Sequence, residues 1–228
     1  MKNGIEEHAV MVALLGKHAA AQAGEEGREA MLSAVKRVGK ERGSRMAARA
    51  IIHGDDLSYV NYLAYTEWRA RPGEMEADLN SEEGQAVQHV WKCPWNEAWT
   101  KYDLLEYGKY YCLPIDKALY KGFNYDFDLD VDTNLSWGEK ECKFRWNARL
   151  TEEELEELKK KREELGDRYI KTFDFHTGHV LYSAGQELIK LLGERGERAV
   201  KGAMEEFCTI FGRECLEAAQ KAYPEPCL

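Results

Sequence analysis

The chain has 228 residues, of which 44% are hydrophobic and 32% charged, with 19 Gly and 5 Pro, a profile that excludes a disordered or fibrous protein and leaves room for a sizeable core. A net charge of -9 without a sustained Lys/Arg stripe argues against nucleic acid and anionic membranes as partners. No segment reads as a secretory leader or reaches the ~20 apolar residues of a spanning helix, so the expected location is cytoplasmic, where six cysteines would be thiols or metal ligands rather than a disulfide scaffold.

Residues 5 to 23 and 25 to 52 read as two helices, with Val10, Leu14, Leu15, Met31, Val35, Val38, Met46 and Ile51 near helical spacing and Gly24 as the break. Residues 74 to 80 and 84 to 93 read as strands joined by a turn from Asn80 to Gly84. In the second of these, alternation sets Val87, His89, Trp91 and Cys93 on one face and Gln88, Val90 and Lys92 on the other, so His89 is expected to point with the apolar set. The segment from Pro94 to Lys121 is helical in character, with Gly122 as a stop and Pro114 required to kink or divide it.

From 125 to 135, Phe127, Leu129 and Val131 alternate with Asp126, Asp128, Asp130 and Asp132, the pattern of a half-buried strand with a solvated acidic face. Ser136-Trp137-Gly138-Glu139 turns the chain into Cys142 to Arg149, with Cys142, Phe144 and Trp146 on one side and Lys143, Arg145 and Asn147 on the other. Thr151 and Glu154 then form a capping box that starts a charged surface helix with a narrow stripe of Leu155, Leu158, Leu165 and Tyr169.

The end of the chain echoes its start. G-E-E-G-R-E-A at 24 to 30 matches G-E-R-G-E-R-A at 193 to 199, and Ala34, Gly43 and Ala50 recur as Ala203, Gly212 and Ala219. Two such helix pairs are expected to pack about an approximate twofold, because neither buries its apolar face alone. The whole is expected to be one α+β domain over 1–228, an antiparallel ββααββ core packed with helix pairs from both chain ends. Residues 1–73 form the first helical part, 74–150 the α+β core with the cysteines, and 151–228 the helical region that repeats the first.

Three of the six cysteines, Cys93, Cys112 and Cys142, fall in the aromatic-rich stretch 93 to 146, and thiols near turns and strands define a site candidate. On a helix over 105 to 121, Cys112 and Asp116 would meet on one face, with Asp116 either binding substrate or acting as a cap. His89, His176 and His179 are the histidines that could activate a cysteine, although His176 and His179 read more simply as part of a helix start. Cys208 and Cys215, seven apart on one expected helix, and Cys227 in a Pro-flanked tail read as packing or incidental.

The patches G-K-E-R-G-S-R-M-A-A-R-A at 39 to 50, C-P-W-N-E-A at 93 to 98, Y-C-L-P-I-D at 111 to 116, G-F-N at 122 to 124 and G-E-K-E-C-K-F at 138 to 144 make the chain resemble the L-2-amino-thiazoline-4-carboxylic acid hydrolases over roughly residues 20 to 147. The resemblance implies hydrolytic opening of a small cyclic amidine to an N-carbamoyl-cysteine-type product. It carries Cys93, Cys112, Asp116 and Cys142 as matched positions. The mechanism expected from these residues has Cys112 as nucleophile, Asp116 gripping the amidinium and His89 carrying the proton, with Cys93, Cys142 and Trp146 binding substrate.

No cofactor is required by this reading. Zinc on Cys93, Cys112, Cys142 and His89 is the second choice, ranked lower because the spacing is wide and holds no C-x-x-C. The hairpin ending in G-x-x-x-C-x-F also resembles sensor domains related to vinyl reductases, which would make the chain a small-molecule-binding module with a cysteine-bound metal and no turnover. The expected partner is a small-molecule substrate, with a homodimer left open.

Overall fold

The computed structural model describes residues 2–223, so Cys227 lies outside the described residues. Helix α1 (Ile5–His53) is interrupted at Gly24, whose φ of 57° and ψ of -127° only glycine adopts without strain. Helix α2 (Tyr59–Ala64) follows, then strands β1 (Glu76–Glu82) and β2 (Gln85–Lys92), helices α3 (Pro94–Lys101), α4 (Leu105–Cys112) and α5 (Ile115–Phe123), and strand β3 (Leu129–Thr133). Strand β4 (Cys142–Arg149) leads into helices α6 (Glu152–Leu165), α7 (Phe173–Leu192), α8 (Glu194–Phe211) and α9 (Arg213–Ala222). The four strands form one antiparallel sheet in the order β1-β2-β4-β3, and the fold is α+β.

The expected order of two strands, helices and two strands is present, with local differences that have physical causes. Pro114 divides the expected long helix into α4 and α5, and a second break at Tyr102 to Leu104 sets α3 apart, so three helices stand where a kinked helical segment was read. The expected strand from 125 starts only at Leu129, because Asn124 closes a turn: its carbonyl accepts from Phe127 N and its side chain from Asp126 N. The acidic residues of that segment face solvent and cations, with Asp128 paired to Lys117 and Asp132 to Arg145. Gly212, at φ 88°, ends α8, so Cys208 and Cys215 sit on different helices instead of one face.

The chain divides into two compact units. Among the described residues, the first comprises those up to Val38, Pro94–Ile115 and those from Lys171 on; the second comprises Gly39–Cys93 and Asp116–Ile170. In the second unit the inner face of the sheet carries Val90, Leu129, Cys142, Phe144 and Trp146, covered by Met46 and Ala50 of α1, Tyr59 and Tyr62 of α2, Tyr120 and Phe123 of α5, and Leu158 and Leu165 of α6. Strand β4 alternates as its sequence requires, Cys142, Phe144 and Trp146 being buried. Glu83 (φ 52°) and Gly84 (φ 83°) make the tight β1–β2 turn, the paired left-handed conformation that matches strand twist. The Thr151–Glu154 capping box is formed in both directions at the start of α6.

In the first unit several residues 169 positions apart have similar surroundings. Gly24 and Gly193 share one backbone conformation, φ 57° and ψ -127° against φ 59° and ψ -134°. A Cβ on Gly27 would strike the Ala19 carbonyl, and one on Gly196 the carbonyl of Leu188, which is the position equivalent to Ala19 at the same offset of 169. Polar contacts exchange in the same way. His18 pairs with Glu206 at 2.8 Å, and their equivalents Glu187 and Arg37 pair at 3.5 Å with the charges reversed. Glu26 bonds Arg195, its own equivalent, at 2.8 Å.

Candidate functional site

Three positions that the sequence matched through separate patches meet in the second unit. Cys142 begins β4 opposite Val90 of β2, with its thiol buried and accepting the Leu135 backbone N–H at 3.3 Å. Loss of hydration pushes that thiol up to about 12, and Cys93 and Asp116 lie near enough for their charges to add to the rise. Cys142 is therefore a neutral thiol at physiological pH. Cys93, one residue past β2, packs half-buried against the same core.

Asp116 stands in the first turn of α5. Burial raises its carboxyl to about 6, against the opposing pull of the Arg42 guanidinium. Among the described residues its carboxylate accepts no hydrogen bond, and the Arg42 guanidinium is the group that opposes the rise. Its charge is also felt at Tyr62, whose phenol is raised above the ordinary range chiefly by burial. A carboxyl that exchanges its proton near neutrality, close to the Cys142 thiol and the Tyr62 phenol, can serve as an acid, a base or an amidinium partner.

Near Asp116 lies an aromatic cluster of which the sequence reading singled out only Trp146. The rings of Tyr62 and Tyr120 are 4.8 Å apart, Tyr120 and Trp146 4.8 Å, Tyr59 and Trp146 5.7 Å, and Tyr59 and Tyr62 6.2 Å. Trp146, expected as a substrate-binding residue, is thus wholly within this cluster. The Tyr59-x-x-Tyr62 spacing was the available signal, since residues three apart share a helix face.

His89 falls on the other side of the sheet. It pairs across β4 with Lys143, stacks on the half-exposed Trp91, and bonds Glu141 through Nδ1 at 2.9 Å and Glu82 through Nε2 at 3.2 Å. Val90 takes the inward place, which corrects the expectation that His89 and Cys93 share an apolar face; β2 ends at Lys92, so strand alternation does not extend to Cys93. The bond to Glu141, followed by that to Glu82, raises the imidazole above its usual value.

Cys112 closes α4 in the first unit, half-buried. α4 ends there and α5 begins at Ile115, so Cys112 and Asp116 stand on two helices instead of the one expected. His8 is a buried histidine that the sequence reading missed; its Nδ1 accepts the Trp95 indole N–H at 3.0 Å, within a group that includes Tyr111, Phe173 and His176. His176 and His179 are buried inside α7. Among the described residues no group of three or more His, Cys, Asp or Glu side chains is arranged to hold a metal ion.

The arginine-rich patch at 39 to 50 also finds its place. Arg42, Arg45 and Arg49 project from one face of α1 onto Glu67, which is fully buried; Arg45 binds it through two parallel bonds of 2.9 Å and Arg49 at 2.8 Å. Burial acts to raise Glu67, but the Arg45 bonds and the three positive charges outweigh it and hold the carboxyl below the usual range.

No curated protein and no solved structure matches this chain. The profile of the family described as L-2-amino-thiazoline-4-carboxylic acid hydrolase matches residues 3–146, well over half the chain, including Cys93, Cys112, Asp116 and Cys142. The chain belongs to the L-2-amino-thiazoline-4-carboxylic acid hydrolase family, whose activity is the hydrolytic ring opening of a cyclic amidine.

Proposed function

We propose that this protein hydrolyses the ring of L-2-amino-thiazoline-4-carboxylate or a close analogue to an N-carbamoyl-cysteine, with Asp116 as proton carrier and Cys93 as nucleophile. One observation carries the reading: Asp116 and Cys93 both act on the buried Cys142 thiol, and the carboxyl among them sits at about 6. The ionised carboxylate pairs with the protonated amidine and accepts the Cys93 proton as sulfur bonds to the amidine carbon across its C=N bond. The adduct collapses by breaking the carbon–sulfur bond of the ring, and the departing sulfur takes the proton from Asp116. Water then adds to the enzyme-bound isothiourea carbon, the bond to Cys93 breaks, and a urea is released, so one water is consumed overall.

This reading transfers the proton-carrying role from His89 to Asp116, because His89 is held on the outer face by Glu141 and Glu82. Cys142, held as a thiol, lines the site. The test is release of free thiol from L-2-amino-thiazoline-4-carboxylate, with the product identified by mass spectrometry, for wild type, Cys93→Ser, Asp116→Asn and Cys112→Ser. Turnover lost in the first two variants and kept in the third is expected. Loss confined to Cys112→Ser would move the nucleophile to Cys112, and tight binding without turnover by wild type would leave a binding module.

We further infer that the two helix pairs of the first unit are copies of one hairpin. The support is the shared glycine conformation at Gly24 and Gly193 and the exchange of His18–Glu206 for Glu187–Arg37.

A further inference from the structure

The aromatic cluster of the second unit contains three polar groups that its own chain does not satisfy. The Tyr59 hydroxyl, the Tyr120 hydroxyl and the Trp146 indole N–H are buried without a hydrogen-bond partner among the described residues. The three residues are 6%, 0% and 4% exposed, so solvent at the surface does not serve these groups. Native proteins leave only a few buried polar groups unsatisfied per hundred residues, and three within one ring cluster is a concentration that a folding role does not explain. Phenylalanine at the two tyrosine positions would bury the same ring without stranding a hydroxyl.

The identity of these groups indicates their complement. An indole N–H can only donate, and a phenol beside it is free to donate as well, so the three together suit an acceptor with several lone pairs. The cluster draws on three elements, Tyr59 from α2, Tyr120 from α5 and Trp146 from β4, with ring centroids of Tyr59 and Tyr120 5.9 Å apart. It also has electrical direction. Tyr62, which packs on both Tyr120 and Trp146, feels the Asp116 carboxylate and, in the opposite sense, the Arg42 guanidinium, whereas Tyr59 feels the Arg162 guanidinium. Asp116 with Arg42 at the Tyr62 end and Arg162 at the Tyr59 end therefore border one cluster. A zwitterion with an amidinium at one end and a carboxylate at the other matches that polarity.

We propose that Tyr59, Tyr120 and Trp146 are the carboxylate-recognition residues of the site, donating to the 4-carboxylate of the substrate while Asp116 takes its amidinium. This rests on the aminothiazoline reading and adds to it the determinant of selectivity between carboxylated and uncarboxylated rings. Losing a bond to a charged group lowers affinity by roughly tenfold or more, whereas the ring contacts survive a Tyr→Phe change.

The experiment is calorimetric titration of wild type, Tyr120→Phe and Tyr59→Phe with L-2-amino-thiazoline-4-carboxylate and, separately, with 2-amino-2-thiazoline, which lacks the carboxylate. Melting of each ligand-free protein is followed in parallel. The expected result is a roughly tenfold weaker affinity of each variant for the carboxylate, unchanged affinity for the parent ring, and melting temperatures no lower than wild type. Equal weakening for both ligands, no weakening for either, or a wild type that does not distinguish them would overturn the assignment. Carboxylate selectivity without turnover would retain the assignment and remove the hydrolase reading, so the two fail separately.

Discussion

Glu67 and Asp116 are two carboxylates in one unit, both acted on by Arg42, yet their environments drive them in opposite directions. Glu67 is met by three arginines and a bidentate bond, so its charge is stabilised at the cost of burying it, and its proton lies well outside the neutral range. Asp116 has burial without hydrogen bonds, and its proton becomes exchangeable near neutrality. The number of donors around a carboxylate, more than its burial, separates a carboxylate that holds the fold from one available for chemistry.

The largest expected effect that would break this comparison is kinetic. Asp116→Asn should lower turnover of the aminothiazoline by two to four powers of ten, roughly the contribution of a positioned acid or base. A rate within threefold of wild type would remove Asp116 from the mechanism. In wild type, activity should fall as pH drops below about 6, where the carboxyl becomes protonated.

Stability should respond in the opposite sense at the two sites. Glu67→Gln leaves the side chains of Arg42, Arg45 and Arg49 facing a neutral group and should cost about 3 to 5 kcal/mol by urea unfolding at pH 7. Asp116→Asn should stabilise the protein at pH 8 by about 2 kcal/mol, since the folded carboxyl is raised above its unfolded value. The sign follows from that direction: the penalty is absent below the unfolded value near ~4, grows between there and about 6, and is complete above. A gain from Asp116→Asn that is equal at pH 4 and pH 8 would contradict the assignment.

Smaller effects sharpen the comparison between the two hairpins. Gly27→Ala and Gly196→Ala each place a methyl against a backbone carbonyl one turn across the hairpin, and each should cost about 1 to 3 kcal/mol, with the two values close to each other. A large loss at one site beside none at the other would argue against common origin. Smallest of all is His89→Gln. His89 is raised by Glu141 and Glu82 near the surface, so its contribution is present below pH ~6.5, fades as pH rises through the folded value, and should stay under about 1 kcal/mol. Turnover of the His89→Gln protein should remain within a few-fold of wild type.

Much of the fold was legible in the chain because local rules agreed with the tertiary outcome. The Gly24 break, the capping box at Thr151 and the alternation of Cys142, Phe144 and Trp146 were readable because each depends on residues a few positions apart. The side of β2 that His89 occupies was not, because alternation separates the two faces of a strand without saying which of them the core covers. Nor was the split at Leu113–Pro114, where proline stated that a break must occur but not whether the two parts would keep a common face.

The site shows the same division. Sequence by itself determined which residue types recur at matched positions, and through them the family, because the patches keep their order along the chain. Only the tertiary structure decided which of those residues meet. Cys93, Asp116 and Cys142 come from segments more than twenty residues apart in sequence, and their proximity depends on how α5 and β4 pack, which no local spacing encodes. The tertiary structure likewise decided the state of each group. Burial without donors makes Asp116 exchangeable, burial in the core keeps Cys142 a thiol, and the converging rings of α2, α5 and β4 leave three donors without partners. Hydration lost on folding is set by what surrounds a side chain in space, and the amino-acid code names the side chain without its surroundings.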